Sequence, residues 1–404
     1  MDTIKNDNNS VDISVIIPTY NKYPQNLLTL FSLENQQFDL SKVEVIMVDD
    51  GSTDQTSQIL KDYHFPFNFK YINNGKNIGR PAARNIGIKA SSGTILIFLD
   101  AEILVQPDFL SIHSHYHKTQ KNSVVTGVLF IKKLYSALIP GFSNAQLDQF
   151  RTLLTNQPAL RAKYNEFLNK RAYIPLINKL QILNQSYKSL AVPTDYEEFY
   201  KRIIIKNYGY KLLNYQIPWQ LFGTGHVSVQ KQAIEEVGLF TEYPGYGWDD
   251  LEMGYRLYKN GAIFTTDRKL VSYHQEHPVF KGIKDESKLN YYRFQETYNA
   301  VDQMVISLTF LPVPFNLHEI NQILILYNKL CHDYPIKFPL LKKNFHFMLR
   351  EIGRLVSKQL PITNLRSKSL QATEEITLSE EKKQLKEIGR YHLFLKCYER
   401  LEKL

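Results

Sequence analysis

Residues 42–56 read KVEVIMVDDGSTDQT and residues 93–103 read GTILIFLDAEI. Each holds a near-continuous apolar run that stops at acids, Asp49–Asp50 in one and Asp100 with Glu102 in the other. A strand apolar on both faces belongs inside a sheet covered on both sides, which is how parallel sheets are built. VDISVIIPTY (11–20) and FKYIN (69–73) are of the same kind. Between them lie helical candidates, NLLTLFSLENQ (26–36), DQTSQILKDY (54–63) and GRPAARNIGIKAS (79–91). The alternation predicts an α/β fold with a mainly parallel sheet and helices on both faces. Ligands of such sheets gather at the carboxyl ends of the strands, where Tyr20, Asp49, Asp50, Asp100 and Glu102 fall.

Outward from this core the pattern changes. Residues 131–215 read as a helical insertion rich in Tyr, Leu, Asn and Lys. Residues 216–284 return to short strands and one helix, DDLEMGYRLYKNG, closed by Gly261. Residues 285–404 are helical again, and Thr377 with Glu380 predicts a capping box opening the last segment. There Leu385, Ile388, Leu395 and Tyr398 form a packing stripe. The chain of 404 residues carries a net charge of +9, unevenly spread. Residues 151–215 hold 11 basic and 4 acidic side chains, and residues 337–404 hold 15 and 8. A segregated basic surplus suits an anionic partner, so peripheral membrane association through the insertion or tail is an expectation. Two cysteines build no disulfide framework, and the polar start MDTIKNDNNS lacks an apolar signal core. No apolar run reaches the ~18 residues of a membrane span. A cytoplasmic location follows as an expectation.

Three acidic groups carry chemistry. Asp49 and Asp50 exceed what a cap for the next helix needs, which Ser52 or Asp54 could supply. Asp100-Ala101-Glu102 offers hard oxygen ligands of the kind that hold Mg²⁺ or Mn²⁺ beside phosphates. Asp249, Asp250 and Glu252 open a helix behind a Gly-Tyr-Gly-Trp loop. There they complement the helix dipole, or one of them takes a proton from an incoming hydroxyl. His274 and His277 flank a Glu after a further strand, and a metal role for one of them stays open.

Together SVIIPTYNK (14–22), VDDGSTDQT (48–56), NIGRPAARNIGI (77–88), FLDAE (98–102) and FGTGHVSVQKQAIEEVGLFTEYPGYGWDDLEMGYRL (222–257) resemble the family 2 glycosyltransferases. These are inverting enzymes of the GT-A fold. The last stretch is similar to a galactosyl/N-acetylgalactosaminyl-transferase half-domain. The resemblance implies a nucleotide-sugar half at 1–130, an acceptor and catalytic half at 216–284, and two helical additions at 131–215 and 285–404. It implies that Pro18, Thr19 and Tyr20 border the nucleotide of a UDP-sugar, with Asp50 accepting from uracil. Arg80 would lie near the base or diphosphate with Arg84 supporting that wall, and Asp100 would meet the ribose or metal. Glu102, in place of the more usual Asp, and His274 would hold Mn²⁺ or Mg²⁺. Asp250 would be the catalytic base, with Asp249 contacting a sugar. His226 stands where the family carries a sugar-contacting Asn. The acceptor would be a glycan, a lipid-linked glycan or a peptide, and nucleic acid is not an expected partner. A nucleotidyltransferase would want a Gly-rich phosphate loop and a Lys after the first strand, which SVIIPTYNKYPQNLL lacks. A non-catalytic sugar-nucleotide-binding module is the remaining alternative, and intact Asp100, Glu102, Asp250 and His274 argue against it.

Overall fold

The computed structural model describes residues 10–155, 157–278, 283–366 and 372–404, with the polar N-terminus and segment 367–371 outside that set. The chain divides into two compact units. The first comprises Met1–Lys201, Trp219–Glu242 and Asp249–Lys281, the second Arg202–Pro218, Tyr243–Trp248 and Gly282–Leu404.

The first unit holds β1 (Ile13–Thr19), β2 (Val43–Asp49), β3 (Asn68–Asn73), β4 (Ile95–Leu99), β5 (Ile103–Val105), β6 (Ser123–Thr126) and β7 (Ile131–Leu134). There follow β8 (Ala137–Leu138), β9 (Ile174–Pro175), β10 (Ala191–Val192), β11 (His226–Gln230), β12 (Ile263–Thr265) and β13 (Ser272–Gln275). A seven-stranded sheet runs β12-β6-β11-β4-β1-β2-β3. All its pairings are parallel except the two made by β11, so the expected mainly parallel sheet is present. Its central strands are buried on both faces, as their unbroken apolar runs require. The helix Arg80–Ala90 packs against β1 and β2 through Gly87, where an added Cβ would stand 2.5 Å from Ile16 Cγ2. Only a residue without a side chain permits that approach.

The structure departs from the sequence reading at four places. GTILIFLDAEI is two strands: β4 ends at Leu99, and β5 belongs to a separate four-stranded sheet, β10-β7-β13-β5. The chain crosses between sheets at Asp100-Ala101-Glu102, which places both acids at the crossing. DQTSQILKDY forms only a 3₁₀ turn, Gln55–Gln58, and one helical turn, Ile59–Asp62. The 131–215 stretch is helical at Asn144–Leu154 and Ala159–Lys170, yet it also supplies β7 and β10 to the smaller sheet. The capping box at Thr377 is absent, because the helix already runs from Ala372 to Ile388 and Thr377 Oγ1 donates back to the Thr373 carbonyl at 3.0 Å.

The second unit is helical, with Ile283–Tyr298, Leu317–Asp333, Pro339–Ser357, Ala372–Ile388 and His392–Glu402 as its main elements. Gly389 separates the last two, and Leu385, Leu395 and Tyr398 are buried, so the anticipated stripe is a packing face. Among the described residues no helix is long and apolar enough to cross a membrane.

Candidate active site

The carboxyl ends of β1 and β2 form the first wall. Thr19 is buried and its hydroxyl accepts from Asn26 Nδ2 at 3.2 Å, whereas the next residue, Tyr20, is 45% exposed. Asp49 is bound within the fold, accepting from the Ser52 amide at 2.8 Å and from the Tyr71 hydroxyl. Asp54 caps the 3₁₀ turn through the Thr56 amide, as read from the sequence. Asp50 is buried and accepts from Asn74 Nδ2 at 3.2 Å and from the amides of Ile78 and Gly79, both at 2.9 Å. Those bonds hold the 74–79 loop and fill three of the roughly four lone-pair directions of a carboxylate. Arg80 opens the following helix at an exposed position.

The second wall is a carboxylate group organised by Arg84. Its guanidinium is buried and donates from Nη1 to Asp249 Oδ2 at 2.8 Å and from Nη2 to Asp100 Oδ1 at 3.4 Å. Arg84 Nε is buried without a partner among the described residues. Asp250, next along the helix Asp249–Lys259, accepts from the Leu251 amide at 2.8 Å. Loss of hydration, then the charge of Asp249, pushes the Asp250 carboxyl up to about 7, with Arg84 opposing the rise. That is where a general base is most effective near neutral pH. Tyr200, from the helix Asp195–Tyr200, feels the same carboxylate: burial, then Tyr196, then Asp250 push its phenol up to about 12. A Cβ on Gly225 would stand 3.0 Å from Asp100 Oδ2, so the turn before β11 keeps that carboxylate accessible.

The third group is a metal-ligand constellation. Glu102, His274 and His277 each offer a donor atom, all within 4.8 Å of one another. Glu102 Oε1 lies 3.2 Å from His277 Nε2 and 4.0 Å from His274 Nε2. One carboxylate oxygen with two imidazoles is a donor set that suits Mn²⁺ and its neighbours. Lys22 Nζ also sits 2.8 Å from Glu102 Oε1. The His277 bond, then Lys22 and His274, hold the Glu102 carboxyl well below its ordinary range despite burial.

The expected site residues thus fall into three groups, with Pro18, Thr19, Tyr20, Asp50 and Arg80 in the first, Asp100, Asp249 and Asp250 in the second, and Glu102 with His274 in the third. His226 belongs to none. It is fully buried on β11, with Nε2 3.1 Å from His113 Nε2 and Nδ1 3.0 Å from Ser272 Oγ. Sequence reasoning gave Arg84 only a supporting place and kept one His of two. The HQEH spacing left His277 open; nothing in the sequence signals the partners of Lys22 or Arg84, which lie far along the chain.

The family model described as glycosyl transferase family 2 matches residues 14–171. The uncharacterized glycosyltransferase YfnE of Bacillus subtilis is 30% identical over 376 residues, covering 92% of each chain. The chain belongs to glycosyl transferase family 2. This glycosyltransferase also matches the chondroitin synthase of Escherichia coli, at 27% identity over 274 residues, 66% of this chain and 35% of that one. A shorter match, 40% over 100 residues, joins it to the poly(ribitol-phosphate) beta-N-acetylglucosaminyltransferase TarS of Staphylococcus aureus, over 24% of this chain and 17% of that one. The structure of S. aureus TarS 1–349 with UDP-GlcNAc aligns at TM-score 0.49 and 16% identity, over 97% of this chain and 90% of that one.

Proposed function

We propose that this glycosyltransferase transfers a sugar from a UDP-sugar to an acceptor hydroxyl with inversion at the anomeric carbon, in assembly of a cell-envelope polysaccharide or related glycoconjugate. The observation that carries the reading is Asp250, a carboxylate poised near neutrality beside Asp249, Arg84 and Asp100. In this reading Asp250 accepts the proton of the attacking hydroxyl, and Asp249, oriented by Arg84, contacts a sugar. Tyr20 stacks on the base, Pro18 and Thr19 border it, Asp50 uses its remaining lone pair toward uracil, and Arg80 faces the base or diphosphate. Asp100 meets the ribose or the metal.

Glu102 and His274, joined by His277, would hold Mn²⁺ or Mg²⁺. When bound, the cation supplies Lewis-acid neutralisation of the charge that develops on the departing diphosphate. One proton-accepting carboxylate suffices for a single displacement from the face opposite the leaving group, so an α-linked donor gives a β-linked product. The names of the relatives, chondroitin synthase and a poly(ribitol-phosphate) transferase, support a polymeric acceptor. The FGTGHVSVQ and GYGWDDLE stretches support a galactose- or N-acetylgalactosamine-like donor. A peptide side chain as acceptor is the second reading, and labelled UDP-sugars offered with glycan, lipid-linked and peptide acceptors separate the two.

Asp250→Asn tests the assignment. Removing the proton acceptor lowers kcat by about 10²-fold or more, while UDP binding measured by calorimetry persists. A folded variant that loses UDP binding instead would place Asp250 in donor recognition.

A further inference from the structure

Among the charged groups that the proposed reaction leaves without a part, Lys22 is foremost. Its ammonium lies 2.8 Å from Glu102 Oε1, the oxygen that both histidines approach. The bond is not a loose surface pair. Both side chains are largely buried, at 18% and 9% exposure. The backbone on either side of Lys22 is fastened to one turn. Asn21 Oδ1 accepts from the Thr53 amide at 2.8 Å, and the Asn21 amide donates to Ser52 Oγ at 2.9 Å. Beyond it the Tyr23 amide donates to Asp54 Oδ2 at 2.8 Å, and the Lys22 carbonyl accepts from the Asn26 amide at 2.9 Å. Asn21 itself adopts φ 51°, a left-handed conformation that these bonds hold. The loop is thus built to present one cation to one carboxylate.

A divalent cation would need that same oxygen at about 2.1 Å. An ammonium bonded to it would then stand within about 5 Å of the metal, since the distances add at most to that sum, and like charges so close in a partly buried site repel strongly. Lys22 and the metal therefore compete for Glu102. We infer that Lys22 is the internal counter-ion of Glu102, displaced as the metal enters, and that its released ammonium then pairs with the diphosphate of the nucleotide. Cation and nucleotide would in consequence bind cooperatively, each making room or charge for the other, with the empty site kept neutral by Lys22. No bond is made or broken other than this exchange of ionic partners. The inference rests on the metal reading of Glu102, His274 and His277 proposed above.

The test is Mn²⁺ titration of the full chain, followed by electron paramagnetic resonance of free Mn²⁺, with and without UDP. For the wild type, UDP tightens Mn²⁺ binding. In Lys22→Met, Mn²⁺ alone binds about tenfold tighter, and the gain from UDP shrinks by a similar factor. Lys22→Arg, which keeps the charge, retains weak binding of Mn²⁺ alone and a large UDP gain. Unchanged or weaker Mn²⁺ binding by a folded Lys22→Met, with its UDP gain intact, overturns the role of Lys22. Glu102→Gln is the control. If it leaves Mn²⁺ binding untouched in the wild-type background, the metal site itself is wrong; if it abolishes binding while Lys22→Met changes nothing, only the counter-ion role falls.

Discussion

The pH dependence of this enzyme should be read from single residues around Asp250. Its carboxyl is pushed up first by lost hydration and then by Asp249, while Arg84 pulls it down and Asp100 adds to the rise. In the proposed mechanism Asp250 works as a base only when deprotonated, so the acid limb of kcat/KM is expected to follow this group as a property of the coupled pair. Asp249→Asn removes a negative neighbour, which moves the limb to lower pH by about one unit. Arg84→Met removes the positive one and moves it up by a similar amount, in addition to lowering the rate. Profiles of UDP release across about pH 5 to 9 decide it. Limbs that stay put, or move in the same direction in both variants, would mean that another group titrates. In the sequence Arg84 had only the supporting place that the family resemblance implies for it. Its bridging of Asp249 and Asp100 was not legible there, because the bond joins residues on separate strands and helices that only the sheet order brings together.

The helix Ile283–Tyr298 has a task that its sequence does not announce. Asn290 Nδ2 donates to the carbonyls of Pro244, Tyr246 and Gly247 at 2.9, 3.2 and 3.1 Å. Trp248 Nε1 donates to Ser287 Oγ at 3.2 Å, and its ring lies 4.6 Å from that of Tyr291. Trp248 takes φ 72°, a conformation that costs a bulky residue about 1–3 kcal/mol unless its surroundings impose it. In the chain it directly precedes Asp249 and Asp250, so the strained residue stands one step before both acids. Asn290→Ala should cost about 1–3 kcal/mol of stability and lower kcat more than it raises the KM for the donor. Loss of stability with unaltered kcat would reduce the loop to a structural role. The sequence revealed β1, β2 and β4 because continuous apolar runs can hardly be anything but buried strands. It concealed β8, β9 and β10, which are two residues long and carry no periodicity. It also merged β4 with β5, since a turn of two acids around an alanine interrupts an apolar run without a glycine or proline to mark it. The tail remained unread for the same reason as Arg84: what Asn290 holds lies in another part of the chain.

For the molecule as a whole, net charge says less than buried charge. The surplus of +9 is concentrated in residues 151–215 and 337–404, and part of it is taken up by local pairs such as Arg350–Glu296, Arg354–Glu351 and Lys382–Glu402. The most exposed of them, Arg350–Glu296, contributes little to stability. The buried imidazoles of the first unit matter more. His117 lies 2.9 Å from Ser123 Oγ and 2.7 Å from Ser228 Oγ, which is 2.7 Å from His113, which in turn meets His226. Burial lowers all three, His226 to about 3 and His117 to about 4, so they are neutral when folded. In the unfolded chain each titrates near about 6.5, so protons bind the unfolded state preferentially and stability is present above that pH and lost below it. At about pH 5.5 each imidazole costs on the order of 1 kcal/mol, a large share of an ordinary 5–15 kcal/mol total. Asp250, raised rather than lowered, pulls the opposite way as pH falls through about 7. A comparison of variants isolates the histidines from it. Denaturant melts of the wild type at about pH 7.5 and 5.5 should show a drop that His117→Gln reduces by about one group's share. An equal drop in both proteins would mean that this buried array is not what makes the fold sensitive to acid.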